Sequence, residues 1–251
     1  MEIFDWKDID SFSKTQFFKQ GTGVSVGSFD GLHLGHRVLL EKLVLFCSKC
    51  NLSSGLVTFS RPLPSIKHSD DYTGDISTLS QRLRFFEQLG IDFVFVVDFD
   101  QDFAALKGAD FLTILHQKLN MNLIAEGIDF KCGYKGATDA QAIKYWAEQN
   151  KVEFSFIDPV YYTEPGGNLE RVSSSYIRQM INKGFFTRAT ELLSRPYEID
   201  IDEIRSKGQS FQVLPPDGFY QTVSENGEQI RLQIENNRIT QLPQCSRLLF
   251  L

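Results

Sequence analysis

Hydrophobic positions fall into short runs separated by glycine, proline and acidic turns, and their spacing alternates along the first three quarters of the chain. Residues 23–29 (GVSVGSF) read as a short strand ending in glycine. Residues 35–50 place Val38, Leu39, Leu43 and Phe46 on one face, the spacing of an amphipathic helix. Strands are expected at 56–59 (LVTF), 92–97 (DFVFVV), 123–125 and 152–157, and helices at 79–89, 109–119, 138–149 and 174–182. The run DFVFVV is apolar and β-branched, as in strands buried on both faces. A proline-rich loop at 61–75 and a Pro165-Gly166-Gly167 loop interrupt the pattern. Strands alternating with helices through short links predict an α/β fold with a doubly wound parallel sheet. Ligands then bind outside the carboxyl ends of the strands, where the chain enters helix N-termini.

The texture changes after about Arg195. Residues 209–214, 218–223, 229–234 and 238–242 read as strands, with turns at Pro215-Pro216-Asp217-Gly218, Glu225-Asn226-Gly227 and Glu235-Asn236-Asn237. A small C-terminal antiparallel β unit is therefore expected, over 187–251, after a larger domain at 1–186.

Composition narrows the partners. The net charge is −6 and the isoelectric point about 5.3, which disfavours a nucleic-acid partner because phosphate binding along a duplex needs a basic stripe. The 22 phenylalanines are read as core. No apolar run approaches the ~18 residues that span a bilayer, so no membrane association is expected. The start, MEIFDWKDIDSF, is acidic where a signal peptide is basic, which predicts a cytoplasmic protein. Cys47 and Cys50 form a CxxC with no second pair or nearby histidines, and no metal site is expected there.

The chemistry concentrates in GSFDGLHLGH, 27–36. It follows a strand and opens a helix, where unpaired backbone N–H groups carry partial positive charge and attract phosphate. Gly27, Ser28, Phe29, Asp30, Gly31 and Gly35 line such a turn, Gly31 and Gly35 permitting close approach of backbone to ligand. His33 and His36, three residues apart, can face the same ligand and donate N–H bonds to its oxygens. Asp30 reads either as a capping carboxylate or as a group near Mg²⁺. In VSSSYIR, 172–178, Ser173, Ser174 and Ser175 precede or begin a helix and can cap it or bind phosphate oxygens. Arg178, one turn in, has the geometry to fork onto a phosphate. Asp129, after a strand in EGIDFKCG, can accept from a sugar hydroxyl or a base edge.

HxGH between a strand and a helix is the signature of a nucleotidyltransferase superfamily with a Rossmann-like fold. The wider stretch GVSVGSFDGLHLGHRVLL resembles the adenylyltransferase half of the bacterial FAD synthetases, the bifunctional riboflavin kinase/FMN adenylyltransferases. VTFSRPLP (57–64), LGIDFVFVVDFDQDFAALKGADFL (89–112), EGIDFKCG (126–133) and VSSSYIR are similar to that family's later motifs, in order, so the likeness covers about residues 20–195. The resemblance implies ATP and FMN as substrates, FAD and pyrophosphate as products, and Mg²⁺ accompanying ATP. It implies His33, His36 and Arg178 as catalytic residues, and Gly27–Gly31, Gly35, Asp129 and Ser173–Ser175 on the nucleotide or flavin.

Three positions depart from the family's pattern: Leu63 stands in its Pro-His-Pro, Cys132 in place of an aromatic, and Ser175 in place of threonine. LPPDGFYQTV (214–223) resembles one strand of the family's kinase barrel. The segment before it, EIDIDEIRSKGQSFQV, lacks the glycine-rich stretch and the Pro-Thr-x-Asn motif, and the tail is short for that domain. A reduced kinase remnant without riboflavin kinase activity is expected. Another phosphorylated acceptor, or a non-catalytic flavin or nucleotide sensor, are the competing functions.

Overall fold

The structure, a computed structural model, describes residues 1–12, 20–63, 65, 72–164 and 166–251. Pro64 and residues 66–71 of the proline-rich loop, and Pro165 of the later one, lie outside them. The chain packs as two compact units, one formed by Met1–Ser28, Arg37–Leu63 and Phe85–Pro159, the other by Phe29–His36, Pro64–Arg84 and Val160–Leu251.

The first unit is built on six parallel strands: β1 (Glu2–Asp5), β2 (Thr22–Val26), β3 (Ser53–Phe59), β4 (Phe93–Val97), β5 (Met121–Gly127) and β6 (Glu153–Ile157). Their order across the sheet is β1-β4-β3-β2-β5-β6. From β2 the chain runs through β3 to β4 on one side and through β5 to β6 on the other, so the order reverses at β2. Helix α1 (Leu34–Cys50) follows β2, and it buries Leu39, Leu40, Leu43 and Cys47 along one face. Helix α2 (Leu79–Gln88) precedes β4, α3 (Gly108–Leu119) precedes β5, and α4 (Ala140–Asn150) precedes β6. The core joins Val24, Val57, Phe93, Phe95, Phe111, Leu115, Ile124 and Ile143, all buried, with an aromatic cluster in which Trp6 meets Phe103 edge-on at 5.4 Å. Those rings absorb much of the phenylalanine excess.

The second unit carries helices α5 (Ser174–Asn182), α6 (Phe186–Leu193) and α7 (Ile201–Lys207). Its antiparallel sheet comprises β7 (Tyr197–Asp200), β8 (Gly218–Ser224), β9 (Gln229–Glu235), β10 (Arg238–Ile239) and β11 (Arg247–Phe250), ordered β7-β11-β8-β9-β10. One apolar core runs from Ile76 and Val172 through Ile177, Ile181 and Leu192 to Tyr197, Leu232 and Phe250, on both sides of residue 186.

The α/β class and the parallel sheet match the sequence expectation, with local corrections. The strand expected at 23–29 ends at Val26, because Phe29 lies in the left-handed region (φ 47°). The helix expected from 138 starts at Ala140: Thr138–Asp139 pairs with Lys131–Cys132, and the Asp139 carboxylate caps the helix by accepting the Ala142 N–H (2.9 Å). No strand forms over 209–214. Gln212 alone bridges Asp75 there, and the preceding IDEIRSK is helical, capped by the Asp200 carboxylate and closed by Gly208 in the left-handed region. Strands β1, β7 and β11 and helix α6 were not apparent in the spacing.

Candidate active site

The sheet order reverses at β2, so the crevice between β2 and β5 is where a ligand enters a fold of this kind. Gly27 and Ser28 follow β2, and Asp129 follows β5. The Gly27 N–H continues the ladder to the Val57 carbonyl (3.0 Å). The Ser28 hydroxyl accepts the Leu63 N–H (3.1 Å), which ties the start of the proline-flanked loop to this strand end. Asp129 is exposed in a tight turn closed by the Phe130 N–H on the Gly127 carbonyl (2.9 Å). The ladder between β2 and β5 stops at Val24 opposite Ile124. Two residues on, the Glu126 carboxylate accepts the Val26 N–H (2.6 Å) in place of a backbone partner, so a side chain stands where the ladder would continue. Burial pushes the Glu126 carboxyl well above the usual carboxylate range.

The HxGH turn belongs to the second unit. Phe29, Gly31 and Leu32 all have positive φ (47°, 79° and 40°), a conformation that only dense support maintains in the two non-glycine residues. At Gly31 a side chain would be excluded twice: by φ, and by Ile76, whose Cγ2 would lie 2.8 Å from an added Cβ. A Cβ on Gly35 would sit 3.2 Å from His33 Cε1, so glycine leaves the imidazole room to fold over the helix start.

His33 is buried and His36 half-buried, and their rings stack at 3.7 Å with 17° between planes. Phe29 meets His36 edge-on at 5.4 Å. The His36 N–H donates to His33 Nδ1 (3.4 Å), which leaves the His33 proton on Nε2. Burial, then the neighbouring His36, Arg171 and Arg195, lowers the His33 pKa well below its usual value. Burial, with Arg82 behind it, lowers that of His36 to about 3. Both shifts favour the neutral imidazole, in which one ring nitrogen keeps an N–H to donate. His36 Nδ1 is buried and has no hydrogen-bond partner among the described residues.

Asp30 is the keystone of the turn. Its carboxylate accepts N–H bonds from Ile76 (3.0 Å) and Ser77 (3.0 Å) and the Ser77 hydroxyl (3.2 Å), and it pairs with Arg178. Burial raises its pKa, and the Arg178 guanidinium works against that rise. With these bonds the Asp30 carboxylate holds the Ile76–Ser77 backbone, as a capping group does. Arg178 is itself buried: it donates to Asp30 and to the Gly74 carbonyl (2.8 Å), and it lies over the Tyr72 ring at 4.8 Å. The fork expected to reach a phosphate is engaged with protein acceptors here.

The Ser173 hydroxyl accepts the Tyr176 N–H (3.2 Å) and caps α5, while Ser174 donates to the Asp30 carbonyl (2.9 Å). Ser175 is exposed, with no hydroxyl partner among the described residues. The second unit therefore brings together Phe29, Asp30, Gly31, His33, Gly35, His36, Ser173, Ser174 and Arg178. The first holds Gly27, Ser28 and Asp129. Sequence reasoning passed over Tyr72, Ser77, Arg82 and Arg195, which carry no motif; only their contacts and charges around the turn reveal them.

Among the described residues no group of three His, Cys, Asp or Glu gathers to hold a metal ion. Cys47 faces the core with its thiol pushed up to about 12 by burial, Cys50 is exposed, and all four cysteines are free. No helix among the described residues is long and apolar enough to cross a membrane.

A parallel sheet reversing at its central strand, with a histidine-bearing turn opening the next helix, defines a Rossmann-like α/β protein. The family model described as FAD synthetase matches residues 15–176, well over half of the chain, and the chain belongs to that family. It is similar to the bifunctional riboflavin kinase/FMN adenylyltransferase of Escherichia coli (strain K12), 29% identical over 182 residues, covering 72% of this chain and 56% of that protein. The protein of the same name from Buchnera aphidicola (subsp. Schizaphis graminum) is 29% identical over 180 residues, 71% of this chain and 56% of that one. The FAD synthetase of Listeria monocytogenes is 25% identical over 203 residues, 80% of each chain. The chain thus spans a little over half the length of the bifunctional relatives. A crystal structure of a macrolide-efflux protein from Streptococcus pneumoniae superimposes with a TM-score of 0.74 at 20% identity, over 100% of this chain and 90% of that one, a likeness of fold alone.

Proposed function

We propose that the chain is an FMN adenylyltransferase, which joins ATP and FMN to give FAD and pyrophosphate. The observation that carries this reading is the pair of imidazoles stacked at 3.7 Å at the start of α1, set by a hydrogen-bonded turn in a chain of the FAD synthetase family. An FMN phosphate oxygen attacks the α-phosphorus of ATP, the bond to the β-phosphate oxygen breaks, and pyrophosphate leaves. Catalysis is positioning plus charge stabilisation. His33 and His36 donate to the oxygens on which charge develops, and the exposed hydroxyl of Ser175 is free to join them. Asp30 and Arg178 act through the backbone they hold. Gly27, Ser28 and Asp129, at the strand ends of the switch point, are assigned to the nucleotide or flavin.

Among the described residues the acids do not gather into a metal cage, and Asp30 is engaged by Arg178 and two backbone N–H groups. Mg²⁺ accordingly belongs to the reaction as the counter-ion of the ATP substrate. Residues 1–186 are assigned to adenylyl transfer. We assign no riboflavin kinase activity to 187–251. The segment between Glu198 and Val213 offers no glycine-rich cradle, and its Asp200 carboxylate is engaged by Thr78, Ser80 and the Glu203 N–H. The test is the purified protein with Mg²⁺ and ATP, supplied in turn with FMN, riboflavin and a panel of other phosphorylated acceptors. FAD and stoichiometric pyrophosphate from FMN alone are expected. FMN formed from riboflavin would overturn the monofunctional reading, and turnover with another acceptor only would overturn the choice of FMN.

A further inference from the structure

The turn before His33 places three left-handed residues in four, two of them non-glycine. Such backbone is strained and persists only where its surroundings over-determine it. Its N–H groups are held from one side: Ser77 accepts the Gly31 N–H (2.8 Å), and the Leu32 N–H closes onto the Phe29 carbonyl (3.0 Å). Two of its carbonyls are held by a single residue from the C-terminal segment. Arg195 donates through Nη2 to the Gly31 carbonyl (2.6 Å) and through Nη1 to the Leu32 carbonyl (3.3 Å). Nη1 also donates to the Leu193 carbonyl (3.0 Å), which fastens the guanidinium to the end of α6. One planar fork therefore grips two successive carbonyls immediately before His33, a geometry that a lysine cannot reproduce.

The base from which Arg195 reaches is densely hydrogen-bonded. Strand β7 begins two residues later, and its Glu198 and Asp200 bond Arg84, Gln81, Thr78 and Ser80. Gln212 donates to the Ile76 carbonyl (3.0 Å) and accepts the Asp200 N–H (2.7 Å). The Asp75 N–H meets the Phe211 carbonyl (2.8 Å), and the Val213 N–H meets the Asp75 carbonyl (2.8 Å). The stretch from Asp75 to Ser77, which holds Asp30 and Gly31, is thus stitched to the same C-terminal segment.

We infer that Arg195 is a positioning residue for the His33–His36 pair, and that the C-terminal sheet serves this protein as the brace of its HxGH turn. The inference rests on the adenylyl-transfer reading for what the pair does, and on geometry alone for what Arg195 does to it. Arg195 acts on the pair through the Gly31 and Leu32 carbonyls that it holds, so its effect is felt in turnover more than in binding.

The test compares Arg195→Ala and Arg195→Lys with the full wild-type chain in two readouts. The first is the imidazole nitrogen NMR spectrum without substrate, simple because the chain has four histidines. In both variants the His33 and His36 signals move while that of His116, in the first unit, stays. The second is steady-state FAD formation: Arg195→Ala lowers kcat roughly 10²-fold, the scale of an ångström-sized misplacement. KM for ATP changes less than about threefold, because ground-state binding is not what is lost. Arg195→Lys stays at least about tenfold below wild type, lacking the fork. Added guanidinium partly restores kcat in the alanine variant. Unmoved His33 and His36 signals, or full turnover with lysine, would overturn the inference. Should Arg195→Ala not fold, the lysine variant decides by the same criteria. If the wild type makes no FAD, the proposed function fails, and the NMR readout still judges Arg195.

Discussion

The two units bury very different interiors. The core of the six-stranded unit is almost wholly apolar, with Phe93, Phe95, Leu112 and Leu115 fully buried and Trp6, Phe103 and Phe111 in edge contact. The second unit has an apolar core too, yet around the HxGH turn it buries Asp30, Asp75, Ser77, Gln81, Arg82, Arg178, Asp200 and Gln212. Apolar packing is the less costly way to stabilise a fold, because a buried charge must recover its lost hydration from partners. Charges retained in a core mark a place where geometry matters more than stability. Here that place is the left-handed turn that sets the two histidines.

If so, removing one member of the polar network is expected to hurt more than any other change considered. Arg178→Met leaves the Asp30 carboxylate buried without its cation, and the expected loss is about 3–5 kcal/mol. Urea unfolding measures it. A companion double substitution, Asp30→Leu with Arg178→Met, should recover much of the stability while leaving the turn unheld and turnover poor. A loss below about 1 kcal/mol for the single variant would mean the pair is solvated in solution.

His36→Ala should separate function from stability in the same unit. Removal of one preorganised donor typically costs roughly 10²–10³ in kcat. His36 Nδ1 has no hydrogen-bond partner among the described residues, so little stability goes with it. Because both rings are neutral well above their lowered pKa values, kcat/KM should show no histidine titration between about pH 6 and 8. A rate that halves near pH 6.5 would show that imidazolium is the working form.

The first unit should respond to shape instead. Gly55 lies opposite Phe93 in the sheet, and an added Cβ would fall 2.0 Å from the ring. Gly55→Ala is expected to cost about 1–3 kcal/mol by overpacking, with kcat unchanged in the fraction that remains folded. A drop in kcat without loss of stability would put the dry core in the catalytic machinery, against the contrast drawn above.

The two interiors also differ in how well the sequence announces them. DFVFVV and the spacing of Val38, Leu39, Leu43 and Phe46 carry the period of the element they form, so strand and helix could be read directly, although the helix buries Leu40 and Cys47 in place of Val38 and Phe46. The HxGH and SSS…R motifs pointed to the candidate site, because few residue types suit a turn that receives phosphate. What stayed hidden was connectivity between distant residues. Nothing in LLSRPYEID signals that Arg195 holds Gly31, 164 positions away. Arg178 shows the converse: its spacing from the serines suits a phosphate fork, yet a nearer carboxylate, invisible as a neighbour in sequence, takes the guanidinium. Local caps were legible in principle, Asp200 and Gly208 around IDEIRSK being a complete helix signature obscured by the acids beside it.

Glu126 is a buried carboxyl inside the apolar unit, and it offers the smallest effect, one that vanishes at low pH. Its carboxyl is 1% exposed, holds the Val26 N–H, and has no lysine or arginine paired with it among the described residues. In the unfolded chain a glutamate ionises near pH 4.3. In the folded protein burial raises the pKa well above that, so between the two values the native state holds a proton that the unfolded state has released. Stability from this group is therefore fully present below about pH 4.3 and is lost as pH rises through the folded pKa. Glutamine has the shape of the protonated acid and keeps an oxygen for Val26, but it does not titrate. Glu126→Gln should match the wild type near pH 4 and become progressively the more stable of the two toward pH 8. Urea unfolding at several pH values reads the difference. A constant gap across that range would mean that the carboxyl is ionised in the fold, and that a cation or water reaches the end of β5 after all.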